Sequence, residues 1–102
     1  MVKMTIAGLR LGQLVTSIQG RDCGQNYIII GFIGDYYLLV ADGVRHKLAK
    51  AKKKNLKHVK VSLQVDRIIE GKLTASQMVT DEEIHCALQN LGKRPEEGEV
   101  KY

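Results

Sequence analysis

The residues with the most capacity for chemistry are cationic and crowded. Arg45, Lys47, Lys50, Lys52, Lys53, Lys54, Lys57 and Lys60 fall within sixteen residues that contain no acid, and they are half of the chain's 16 Lys and Arg. Packing like charges together costs self-repulsion, and a solvated face ordinarily mixes signs, so the one-sided run points to neutralisation of phosphates. A solubilising loop is the plainer alternative. An anionic membrane surface is a poorer one, because no amphipathic helix with bulky apolar anchors accompanies the run. Upstream, Gly20-Arg21-Asp22-Cys23-Gly24 sets a charged tip between two glycines, which take positive φ at little steric cost. That spacing suits either a salt bridge at a hairpin end or a backbone that approaches a phosphate closely, with Arg21 as the clamp.

Catalytic chemistry finds no comparable pattern, and we expect no enzyme, metal or cofactor. His46, His58 and His85 are not spaced as a ligand cluster, and Ser17, Ser62 and Ser76 lack the glycine-flanked elbow of a hydrolase. Cys23 and Cys86 have no C-x-x-C or Cys/His spacing and read as reduced thiols, Cys86 as a buried one beside an apolar helical stripe. Asp81, Glu82 and Glu83 complement the dipole of a helix start rather than forming a metal site. No phosphate-binding or dinucleotide fingerprint is present.

The 102 residues, 44% hydrophobic and 26% charged, are one small domain's worth. The formal charge of +5 is divided unevenly: residues 1–61 carry eleven basic and three acidic side chains, and residues 62–102 five and eight. A polyanion-facing body and a mildly acidic tail are therefore expected. No stretch reaches the roughly 20 apolar residues of a membrane span, so a cytoplasmic location is the default.

The elements that must position the cations follow from periodicity. Leu11–Ile18 reads as a strand with Leu14 and Ile18 on one side, then a loop through Gln25, then Tyr27–Ile33, apolar almost throughout and so covered on both faces. Gly34-Asp35 suits a tight hairpin turn into Tyr36–Ala41. Tyr36 and Tyr37, being adjacent, should face opposite ways, one into the core and the other outward over the sheet or onto a base. Asp42-Gly43 is a second turn, leading to a short strand Val44–Leu48. Ala49–Asn55 is too charged to bury and reads as a basic loop, and His58–Val61 as a fifth strand. Beyond Val61 the period becomes helical. Ser62 is a candidate N-cap for a helix through Val65, Ile68 and Ile69 that ends at Gly71. Thr80-Asp81-Glu82-Glu83 is a capping box opening a helix with the stripe Ile84, Ala87, Leu88 and Leu91, stopped by Gly92 to Pro95.

Gly12-Gln13-Leu14-Val15-Thr16-Ser17, then Gly20-Arg21-Asp22-x-Gly24 and an apolar strand to Gly31, resembles the KOW motif of several large-subunit ribosomal proteins and transcription elongation factors. The continuation Val40-Ala41-Asp42-Gly43, Arg45-x-Lys47-Leu48, Lys52-Lys53-Lys54 and Leu56-Lys57-His58 is similar to the short bacterial KOW-domain RNA-binding proteins, which are related to an archaeal and eukaryotic ribosomal protein family. The resemblance covers roughly residues 11–60. It implies a mainly β protein whose small SH3-like barrel binds RNA, ribosomal RNA or the large ribosomal subunit, in translation. Gly20, Arg21 and Gly24 would form the RNA-contacting loop, and Arg45, Lys47, Lys52, Lys53, Lys54 and Lys57 the basic tract. Cys23 stands where the family often has a basic residue, leaving Arg21 as the loop's only cation. Apart from the family, about five short strands in some 50 residues bury both faces only by curling into a barrel. The expected organisation is a leader over 1–10, the barrel over 11–61, a short helical segment over 62–94 and a disordered tail over 95–102. The alternative function is a protein-interaction module that docks a translation or transcription factor through the helical stripe.

Overall fold

Alternating and β-branched residues fold into five strands of one antiparallel sheet, followed by two helices. The computed structural model describes residues 8–92, so the tail expected over 95–102, and all of the leader before Gly8, lie outside the described residues. The strands are β1 (Gln13–Ser17), β2 (Asn26–Ile33), β3 (Tyr37–Ala41), β4 (Lys52–Asn55) and β5 (Val59–Val65), and the helices α1 (Arg67–Thr74) and α2 (Asp81–Gly92). The sheet order is β4-β3-β2-β1-β5.

That order forces curvature. β4 and β5 are opposite edges, which in a flat sheet lie about 19 Å apart at the usual ~4.8 Å strand spacing. They are nevertheless consecutive in sequence, joined by a single 3₁₀ turn, Leu56–His58. From Asn55 to Val59 a fully extended chain reaches only about 14 Å, and a 3₁₀ turn less. The turn is tied to both sides of the sheet: Leu56 N donates to Tyr36 O (2.7 Å), and Ile18 N donates to His58 O (2.9 Å). The sheet therefore curls, although no ladder joins β4 to β5 among the described residues.

Each face of the curl carries its own core. Inside lie Val15, Tyr27, Ile29, Leu38, Val40, Leu56, Val59 and Val61. On the other face, Leu14, Ile28 and Ala41 meet Ile69 of α1 and Ile84, Ala87 and Leu91 of α2. This double cover explains the uninterrupted apolar run at the start of β2. Full burial of an Ile or Leu contributes about 1.5–3 kcal/mol, so the helices are part of the same body as the sheet. The stripe offered above as a docking surface is thereby used internally. Gly43 makes this packing possible, because with φ +80° a Cβ there would fall on the Asp81 carbonyl oxygen at the start of α2.

Several local expectations change. The expected strand Val44–Leu48 is a loop and a 3₁₀ turn, because Asp42 Oδ1 accepts from both Val44 N and His46 N (2.8 Å each) and closes the chain on itself. The expected basic loop instead contains β4, whose backbone pairs with Leu38, Leu39 and Val40. His58 belongs to the 3₁₀ turn, and β5 runs on through Ser62, so the cap of α1 is Asp66, which accepts from Ile68 N and Ile69 N. Gly71 lies within α1. Leu14 is buried, but Ile18, past the strand end, is exposed. The capping box forms as read: Glu83 N donates to Thr80 Oγ1 (3.2 Å), and Thr80 N to Glu83 Oε1 (3.3 Å). Its Glu83 also accepts from Lys72 Nζ (2.7 Å). Cys86 is exposed rather than buried, because it sits beside the stripe and not in it. Tyr36 and Tyr37 are both partly exposed, at 40% and 38%, because Tyr36 lies in the turn before β3.

Candidate nucleic-acid interface

The loop between β1 and β2 is built around one carboxylate. Gly20 and Gly24 adopt φ of +90° and +92°, and the loop closes through Gly24 N to Ser17 O (2.8 Å) and Ser17 N to Gln25 O (2.9 Å). Those turns send Asp22 inward and leave Arg21 exposed. Asp22 Oδ1 accepts from Ser17 Oγ (2.9 Å) and Lys54 Nζ (3.0 Å). Oδ2 accepts from Tyr27 Oη (2.7 Å) and Lys52 Nζ (2.9 Å). The salt-bridge alternative for the loop is met in part: there is a salt bridge at the hairpin end, but its cations come from β4 rather than from Arg21.

Burial alone would raise the Asp22 carboxyl, but hydrogen bonds from Lys52, Tyr27, Lys54 and Ser17 outweigh it and hold the group well below the usual carboxylate range. Burial, then the bond to Asp22, pushes the Tyr27 phenol above its ordinary value. The cluster is nearly dry, with the Lys54 and Asp22 side chains 8% and 11% exposed. Lys54 Nζ also donates to Gln19 O (3.1 Å).

The period of a strand divides the triple lysine. Lys52 and Lys54 pair with Val40 and Leu38, whose side chains line the inner core, so both run along that face to Asp22. Lys53 points the other way, its Nζ 4.3 Å from the centre of the Tyr37 ring. Among the described residues, Arg21, Arg45, Lys47, Lys50, Lys53 and Lys57 make no ion pair with an acid. All six are exposed. Lys60 is half-buried on β5, opposite Thr16. Of the predicted set, then, Lys54 has no free charge to offer a phosphate, and Lys52 shares its charge with Asp22.

Arg45 meets the glycine loop across an open groove of about 400 Å³, walled by residues 24–26, by the Asp42–Arg45 loop and by the outer face of α2 at His85, Leu88 and Gln89. Sequence reasoning missed the α2 contribution, because only the sheet's curvature and the docking of α2 bring residue 85 beside residue 25. His46 is accounted for structurally: its ring lies 5.7 Å from that of Tyr27.

Among the described residues no group of three or more His, Cys, Asp or Glu could hold a metal ion, and no helix is long and apolar enough to cross a membrane. No protein-family model matches the chain, and no curated protein matches it.

Proposed function

We propose that this chain is a non-enzymatic RNA-binding protein, an SH3-like KOW barrel with two helices packed on its outer face, that binds ribosomal RNA or the large ribosomal subunit in the cytoplasm. The observation that carries the reading is the sorting of charge around Asp22. One acid, pointed inward, takes two lysines, while the six exposed cations Arg21, Arg45, Lys47, Lys50, Lys53 and Lys57 have no acid partner among the described residues. Such a surface gains most from a polyanion, because each phosphate engaged releases condensed counterions. The barrel reading draws on the strand order and on the 3₁₀ turn that links the two edge strands. RNA rather than DNA, and ribosomal RNA in particular, rests on the resemblance to KOW proteins, since phosphate contacts do not distinguish the two nucleic acids.

If about six cations engage phosphates, affinity for a ribosomal RNA fragment falls roughly 300- to 2,000-fold between about 50 and about 200 mM salt. A salt-insensitive affinity, measured by fluorescence anisotropy, would sink the mechanism. Sedimentation of a lysate at low and high salt locates the target. Co-migration with the large subunit that salt abolishes marks a factor held by phosphates, and co-migration that persists marks an integral component. A protein that stays at the top of the gradient even at low salt is not ribosomal.

A further inference from the structure

The groove between the glycine loop and α2 has the wrong electrostatics for a phosphate and the right ones for a base. Asp42 stands in its wall, and a carboxylate repels an anion. Its Oδ1 is already used by Val44 N and His46 N, whereas Oδ2 accepts nothing among the described residues. Asn26 uses Oδ1 to accept from Thr16 Oγ1 (2.7 Å), which leaves its amide N–H groups as donors. On α2, Gln89 Nε2 lies 3.1 Å from His85 Nε2 and steadies an exposed imidazole, with Leu88 one turn along as an apolar wall. Arg45, with no acid partner among the described residues, stands at the same groove and supplies the cation for a flanking phosphate. Fixed donors, one open acceptor, an imidazole and an apolar contact are what a neutral heterocycle with a polar edge requires. The volume of about 400 Å³ is of the size that holds a small ligand.

We propose that this groove receives a single unpaired nucleotide of the bound RNA, its base stacked against the His85 imidazole and donating an exocyclic amino group to Asp42. The inference rests on the RNA-binding reading above and narrows it. In a duplex the bases are stacked and offer only their edges, so the groove selects a bulge or loop. The free acceptor on Asp42 favours the exocyclic amino group of adenine, cytosine or guanine over uracil, whose one edge donor, N3–H, lies between two carbonyl oxygens that a carboxylate repels.

The test uses the full chain and fluorescein-labelled RNA hairpins with a common stem, one fully paired, one with a single-adenosine bulge and one with a single-uridine bulge. The adenosine bulge should bind about tenfold tighter than the paired hairpin, the size of one stacked base. The double variant His85→Ala, Gln89→Ala should erase that margin and leave affinity for the paired hairpin unchanged. Both side chains are exposed, and Ala is a good helix residue, so the fold should hold. The uridine bulge should bind about three- to tenfold more weakly than the adenosine bulge, one hydrogen bond's worth. Equal, salt-dependent binding of paired and bulged hairpins, or a margin that survives the double variant, overturns the groove and leaves the RNA reading standing. Equal binding of the two bulges overturns the assignment to an amino-bearing base. Failure to bind any hairpin at low salt overturns the RNA reading, and the groove with it.

Discussion

Lys53 and Lys54 are neighbours on β4 and live in opposite worlds. Lys54 is enclosed, and its charge is met by Asp22 and by the Gln19 carbonyl. Lys53 is exposed, and its partner is the face of the Tyr37 ring. A buried cation can be held only where desolvation is repaid by a nearby anion and by hydrogen bonds, and Asp22 supplies both because two left-handed glycines turn it inward. An outward cation on an edge strand needs no such arrangement, and it also blunts the edge against pairing with other chains. The comparison teaches that a run of like charges can contain two populations, one that shapes the loop and one left over for a ligand.

Removing the anion breaks the comparison most severely. Asp22→Asn keeps the shape but leaves Lys54 buried without a counter-charge, and it should cost about 3–5 kcal/mol in urea unfolding. Adding Lys54→Met should recover much of that loss, since an apolar side chain of similar length carries no charge to desolvate. A loss below about 1 kcal/mol for Asp22→Asn would mean that Lys54 finds water or another partner. The same pair sets an acid limit. Asp22 has a depressed pKa in the folded state, so its contribution is fully present above its unfolded value of about 4 and is lost as pH falls below that. Stability of the wild type should decline with acid below about pH 4 more steeply than that of Asp22→Asn. Parallel curves would remove Asp22 from the account.

A smaller effect belongs to Tyr27→Phe, which deletes one donor to a carboxylate that keeps three others. The cost should be about 1.5–3 kcal/mol, the range for a hydrogen bond to a charged group. Above about pH 10 the advantage of the wild type shrinks. The wild-type phenol is held protonated in the fold, so its contribution is present below pH 10 and fades as pH rises beyond it. Phe has no such loss, and the gap between the two should narrow at alkaline pH.

How far the sequence reveals this molecule depends on the range of each interaction. The capping box at Thr80 and the loop closed by Asp42 are made by residues within four positions of one another, and the capping box is legible with its mechanism. Gly34-Asp35 is legible as a turn but its length is not, because Tyr36 joins the turn and Ile33 pairs with Tyr37 across three residues. Asp42-Gly43 is legible as a turn, but the second bond that Asp42 makes, to His46, replaces the strand expected after it. The charges of β4 argue for a loop, and nothing local shows that Leu38 to Val40 offers it a ladder. The Asp22 cluster is only half legible, since its lysine partners are 30 and 32 positions away. The α2 wall of the groove left no local signal, because His85 and Gln89 are ordinary residues for the polar face of a helix. Short-range chemistry was therefore readable, and the division of the lysines required the strand register.

The mildest substitution is the one that separates the two populations most cleanly. Lys53→Ala removes a single exposed ammonium and its contact with Tyr37, so unfolding should change by less than about 1 kcal/mol. If Lys53 engages a phosphate, RNA affinity should nevertheless fall for every sequence tested, and the magnitude of the slope of log K against log salt should drop by about one. Lys54→Ala should do the reverse: it destabilises the fold and, at temperatures where the variant remains folded, leaves that slope unchanged. Should Lys54→Ala instead lower the slope as much as Lys53→Ala, the Asp22 cluster must open when RNA binds. The inward lysines would then be ligands held in reserve rather than part of the scaffold.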